Sequence, residues 1–180
     1  MEQYKLTRDE EYLKFIYPSL IKGSNWILQK MKETDNDKHP KEVRGLLPTG
    51  LSAEHFGAND VYYWDDFWAL AGLRDTIWAA SLRADKKNVQ KFQAAFDRLL
   101  TAVNSSLKKM EKDLGQALMP ISPNRRMDSA AVGSLVALYP TRLFSPYDQR
   151  ITNTLRYLEE NAFNGNWFFM MLIIRVLVLI

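Results

Sequence analysis

No cysteine occurs in the chain, which excludes disulfides, thiolate zinc sites and thiol nucleophiles together. Histidine is nearly as scarce: His39 and His55 are the two present, too few for a histidine-rich metal centre. Neither a metal nor an organic cofactor is expected. A strong charge imbalance is also lacking, since 24 Lys+Arg stand against 21 Asp+Glu and the basic residues are scattered. Pairs such as Lys86-Lys87 and Lys108-Lys109 read as solvated helix surface, so a nucleic-acid partner is not expected. The start, Met1-Glu2-Gln3-Tyr4-Lys5, lacks the basic-then-apolar order of a secretory signal, and the expected location is cytoplasmic. Long hydrophobic runs are missing except at the end, where Trp167 to Ile180 is apolar but for Arg175. That run is shorter than the roughly 20 residues a membrane-spanning helix needs. It reads as a buried helix or strand, and membrane attachment is not expected.

What is present is enough apolar material, 47% of 180 residues, for one substantial core. Periodicity predicts an all-α fold in which two kinds of helix alternate. Thr7-Arg8-Asp9-Glu10 has the form of a capping box ahead of a one-sided helix with apolar positions Tyr12, Phe15, Ile16, Leu20, Ile27 and Met31 and Pro18 as a kink or restart. After a turn-rich stretch from Gly45 to Asn59, Asp60 is placed to cap a helix of roughly Val61 to Leu82 that is apolar on nearly every side. Asn88 to Leu114 is again one-sided, with Val89, Phe92, Phe96, Leu99, Val103, Leu107, Met110 and Leu114 at spacings of three and four. Asp128 to Tyr139 is small and uncharged on every face, as an internal helix requires. Pro146-Tyr147-Asp148 opens a further amphipathic helix with Ile151, Leu155 and Leu158 inward, and the apolar run follows Asn164-Gly165-Asn166. Three outer–inner pairs in succession fit part of a double ring of helical hairpins, and an ordinary bundle with two central helices fits the same periodicity. No strand competes.

Two aspartates begin the second helix inside an aromatic cluster, Tyr62-Tyr63-Trp64-Asp65-Asp66-Phe67-Trp68. Carboxylates at the mouth of a buried helix need a role. Helix-dipole complementation is one, with the aromatics as core. The other is sugar recognition, in which aromatic faces take the C–H side of a ring while carboxylates and arginines take its hydroxyls. Tyr62, Tyr63, Trp64 and Trp68 supply the first group, and Asp65, Asp66, Arg125 and Arg126 the second. Asp128 opens the fourth helix as Asp65 and Asp66 open the second. If both inner helices run the same way, these carboxylates converge on one face, and glycoside hydrolysis needs two of them flanking the bond. The charges around Asp128 favour its carboxylate, whereas a general acid must keep a proton near neutrality. Glu54-His55 is a further polar pair in the same loop layer.

Gly45-Leu46-Leu47-Pro48, Ser52-Ala53-Glu54-His55-Phe56-Gly57, Tyr63-Trp64-Asp65-Asp66-Phe67-Trp68 and Ser122-Pro123-Asn124-Arg125-Arg126-Met127-Asp128-Ser129 together resemble bacterial six-hairpin glycosidases, the (α/α)6 toroids that include glucoamylases, trehalases and processing α-glucosidases. The resemblance spans roughly residues 40 to 140. It implies a carbohydrate substrate, an α-linked glucoside or oligosaccharide, and an inverting acid/base mechanism. It assigns the non-reducing sugar to Trp64 and Asp65, with Asp66 beside them, and the general acid to Asp128. The general base of such relatives comes late in the toroid. The chain reaches about three of six hairpins, so it is expected to be a piece of a longer glycosidase, inactive alone and prone to self-association through exposed inner-helix surface. The alternative expectation is a noncatalytic helical binding or scaffold module that associates through residues 167 to 180.

Overall fold

A computed structural model describes residues 1–51, 59–164 and 167–168. The fold is mainly helical: α1 (Glu2–Thr7), α2 (Glu10–Thr34), α3 (Tyr63–Leu82), α4 (Lys86–Leu114), a 3-10 helix (Ser129–Ala137) and α5 (Gln149–Ala162). Two two-residue strands that the sequence did not announce, β1 (Phe163–Asn164) and β2 (Trp167–Phe168), pair antiparallel with Phe163 opposite Phe168 and Asn164 opposite Trp167. The apolar terminal run therefore begins in a strand. Its remainder lies outside the described residues.

Capping explains most boundaries. Thr7 ends α1 instead of capping α2, and Asp9 is the cap, its Oδ1 accepting from Tyr12 N at 3.0 Å. Pro18 does not restart the chain as a second helix; it lies exposed within one continuous α2. Asp85 caps α4 through Asn88 N at 3.1 Å, and Gly115, at φ 71°, closes it in the left-handed conformation. Asp148 caps α5 and is paired with Arg150 at 2.7 Å.

α3 is the central element, packed against α2, α4 and the 3-10 helix. Its buried stripe Tyr63, Asp66, Phe67, Leu70, Leu73 meets Phe92, Leu99, Val103 and Leu107 of α4 to form the main core. The expectation that α3 is buried all round is corrected on its opposite side. There Trp64, Asp65, Trp68 and Gly72, at helical spacing, stay partly open, and Trp68 is 41% exposed.

The small-residue stretch after Asp128 forms a 3-10 helix, not the expected α-helix. Ala131, Ser134 and Ala137 are each fully buried, a strict three-residue period that matches three residues per turn. Ser134 donates to the Pro120 carbonyl at 2.8 Å, fixing that helix against the segment before it. In α5, Ile151 and Leu158 point inward as expected. Leu155 does not: it is 44% exposed, and Thr154 is buried in its place, its hydroxyl accepting from Met119 N at 2.9 Å.

Candidate saccharide cleft

α2 and α3 run antiparallel. Tyr17 donates to Asp85 at 2.8 Å, Ser24 donates to Thr76 at 2.9 Å, and Gly72 packs towards Ile27. Between these helices, and bounded by residues 47–51, lies a cleft of about 620 Å³, within the usual range for small-ligand sites. At one end stand Trp64, Asp65, Trp68, Lys30 and Thr49; at the other, Leu20, Gly23, Ile27 and Gly72.

The helical period sorts the two neighbouring aspartates. Asp65 falls on the open stripe and lines the cleft, where burial, with no cationic partner among the described residues, pushes its carboxyl up to about 6. Asp66 falls on the inner stripe, fully buried. Its Oδ1 accepts from Leu47 N at 2.8 Å, and its Oδ2 has no hydrogen-bond partner among the described residues. Burial raises the Asp66 carboxyl well above the ordinary carboxylate range; the Leu47 bond opposes this, and the charge of Asp65 adds to it. Asp66 thus fastens the 47–51 wall to α3 and does not face a ligand. Thr34 assists by donating to the Leu46 carbonyl.

Trp64 and Trp68 meet edge to face, 5.8 Å between ring centres, and both line the cleft. Tyr63 does not join them. It is fully buried, hydrogen-bonded to Ser106 at 2.6 Å, and its role is core packing.

The second proposed end of the site is built differently from expectation. Asp60 does not cap α3, whose first turn has no side-chain cap. Instead its Oδ1 accepts from Val61 N and from Asn124 Nδ2, each at 2.8 Å, while Oδ2 receives Arg125 Nε at 2.7 Å. Burial works against the Asp60 carboxylate, but these donors outweigh it and hold it below the usual range. Arg125 is spent on that clamp and on the face of Tyr62, 5.5 Å away. Arg126 is exposed and is not part of the cleft wall. Asp128 caps the 3-10 helix, accepting from Ala130 N at 2.9 Å, and does not line the cleft.

Asp65 and Asp128 nevertheless lie towards one end of α3. Tyr63 N donates to the Ile121 carbonyl at 3.0 Å, Tyr62 feels the charges of both Asp65 and Arg125, and Arg125 feels that of Asp128. Glu54 and His55 lie outside the described residues. Among the described residues no group of three His, Asp or Glu side chains is arranged to hold a metal ion, and no helix is long and apolar enough to cross a membrane.

The sequence reading overlooked Trp26, Lys30 and Gly23. The available signal was their spacing: Phe15, Ser19, Gly23, Trp26 and Lys30 fall on one face of α2, beside its core stripe. Lys30 pairs with Glu33 at 2.8 Å and lies 6.0 Å over the Trp26 ring.

No family model matches the chain, and no curated protein or solved structure is significantly similar to it.

Proposed function

We propose that the α2–α3 cleft binds a saccharide and that the chain is part of a helical, toroid-type glycoside hydrolase, cytoplasmic and directed at an α-linked glucoside or oligosaccharide by an inverting mechanism. The observation that supports this best is Asp65. It is a half-buried carboxyl with no charge partner among the described residues, lining the cleft with Trp64 and Trp68, and burial pushes it up to about 6. As a carboxylate it accepts from sugar hydroxyls. In its acid form it is matched to proton donation near neutral pH. Inversion requires a second carboxylate about 6.5 to 9.5 Å away on the other side of the bond. Among the described residues that line the cleft, Asp65 is the sole carboxyl, so this 180-residue chain should bind without turning over.

Calorimetric titration with maltose and maltotriose tests the reading. Saturable binding, weakened tenfold or more in Trp68→Ala and in Asp65→Ala, is the expected result. Heats indistinguishable from dilution would refute it. A second reading has its own observation: Phe15 at 80%, Leu51 at 72% and Trp26 at 55% exposure extend the cleft as an apolar face, which suits a noncatalytic module docking a partner helix. Dimerisation indifferent to saccharide would favour that alternative.

A further inference from the structure

The two ends of the cleft differ in chemistry, and the difference speaks to what a bound sugar carries. From Asp65 to Thr76 the α3 wall is about 17 Å long at 1.5 Å per residue. A single pyranose against Trp64, Trp68 and Asp65 fills only the polar end. Beyond it the walls are Leu20, Gly23, Ile27, Ala69 and Gly72. Of the three hydroxyls that line this half, two are already committed, Ser24 donating to Thr76 at 2.9 Å and Thr76 to the Gly72 carbonyl at 2.8 Å, while the third, Ser19, is exposed to solvent. A second sugar ring in this half would lose water from its hydroxyls and find few partners, which is unfavourable. An alkyl or aryl group would lose nothing.

Gly23 keeps this half open. Among the described residues a Cβ at that position meets no atom within 4 Å, so the absent side chain borders open space and not a tight helix crossing. Any larger residue there projects into the apolar end.

Resting on the saccharide reading, we infer that the cleft is specific for an amphipathic glycoside: one sugar held at Asp65, Trp64 and Trp68, with an apolar aglycone laid along Leu20, Gly23 and Ile27. Removing a methylene from water contributes about fourfold in affinity when it is fully buried. A six-carbon chain reaching half-way into the groove therefore outbinds a methyl group by tenfold or more.

The experiment compares methyl and hexyl α-glucoside, below micellar concentration, by calorimetry on the full chain, with 1-hexanol as the sugarless probe. The expected result is hexyl glucoside at least tenfold tighter than methyl glucoside, with the ratio falling towards one in Gly23→Leu. Equal binding of the two glucosides by the parent chain overturns the inference and leaves the saccharide reading standing. So does an unchanged ratio in a folded Gly23→Leu. Hexanol binding as tightly as hexyl glucoside overturns the saccharide reading and the inference with it, as does failure of both glucosides to bind. The parent-chain comparison needs no variant, so it decides even if Gly23→Leu does not fold.

Discussion

Asp66→Asn isolates the energetics of the buried acid that anchors the cleft wall. In the folded chain Asp66 is fully buried and holds its proton well above the ordinary carboxylate range; in the unfolded chain it ionises near 3.9. Between those two values the unfolded state binds fewer protons than the folded one, so stability falls as pH rises. The slope is about 1.4 kcal/mol per pH unit for one such group. Asparagine keeps an oxygen for Leu47 N and cannot ionise. Its amide brings N–H donors to the place where Oδ2 has no partner among the described residues, a pH-independent penalty of about 1 to 3 kcal/mol. The two contributions separate by pH. Urea unfolding followed by tryptophan fluorescence between pH 4 and 7 should show the variant gaining on the parent as pH rises, by up to about 1.4 kcal/mol per unit over the range in which Asp66 is protonated in the folded chain and ionised in the unfolded one, whatever the offset at pH 4. A difference independent of pH, or one that grows in the parent's favour, would show that Asp66 is ionised in the folded chain and would undo the account of the wall.

Three further outcomes follow from the same structure. In Asp65→Asn, the rise in saccharide affinity expected as pH climbs through about 6, where the carboxylate forms, should flatten in a calorimetric pH series. Arg125→Ala leaves the mostly buried Asp60 carboxylate without its cation and should lower stability by about 1 to 3 kcal/mol. Because the clamp depresses Asp60, that loss should be full above the ordinary carboxylate range and should shrink as the solution is acidified. Leu99→Ala removes a fully buried α4 side chain from the main core and should destabilise by about 2 to 5 kcal/mol in denaturant unfolding.

Much of this molecule can be read in its residues, and the failures are instructive. α4 and α5 follow from spacings of three and four, and α3 from its lack of any charged stripe after Asp66. α1 escaped because six residues carry too little periodicity to register. The 3-10 helix escaped because its residues are all small, so that no side-chain pattern distinguishes a three-residue from a 3.6-residue period until burial is known. In the site, the aromatic-acid cluster was legible as a unit but its division of labour was not. One helical step, 100° of rotation, separates Asp65 in the cleft from Asp66 in the core, and the stripe Tyr63, Phe67, Leu70, Leu73 that carries Asp66 inward was the signal for it. The far end of the cleft belongs to α2. Trp26 and Gly23 acquire meaning only from the antiparallel packing of α2 on α3, a tertiary fact that local sequence does not contain.

The central claim is that a sugar sits against Trp64 and Trp68 beside Asp65. Indole N–H resonances, assigned by substitution and followed by NMR during titration with methyl α-glucoside, test it most directly. Trp78 serves as the internal control, since it packs edge to face on Tyr4 at 5.7 Å and takes no part in the cleft lining. The account predicts that the Trp64 and Trp68 signals shift to saturation while Trp78 stays in place. Signals that do not move, or that move together for Trp64, Trp68 and Trp78, would contradict it.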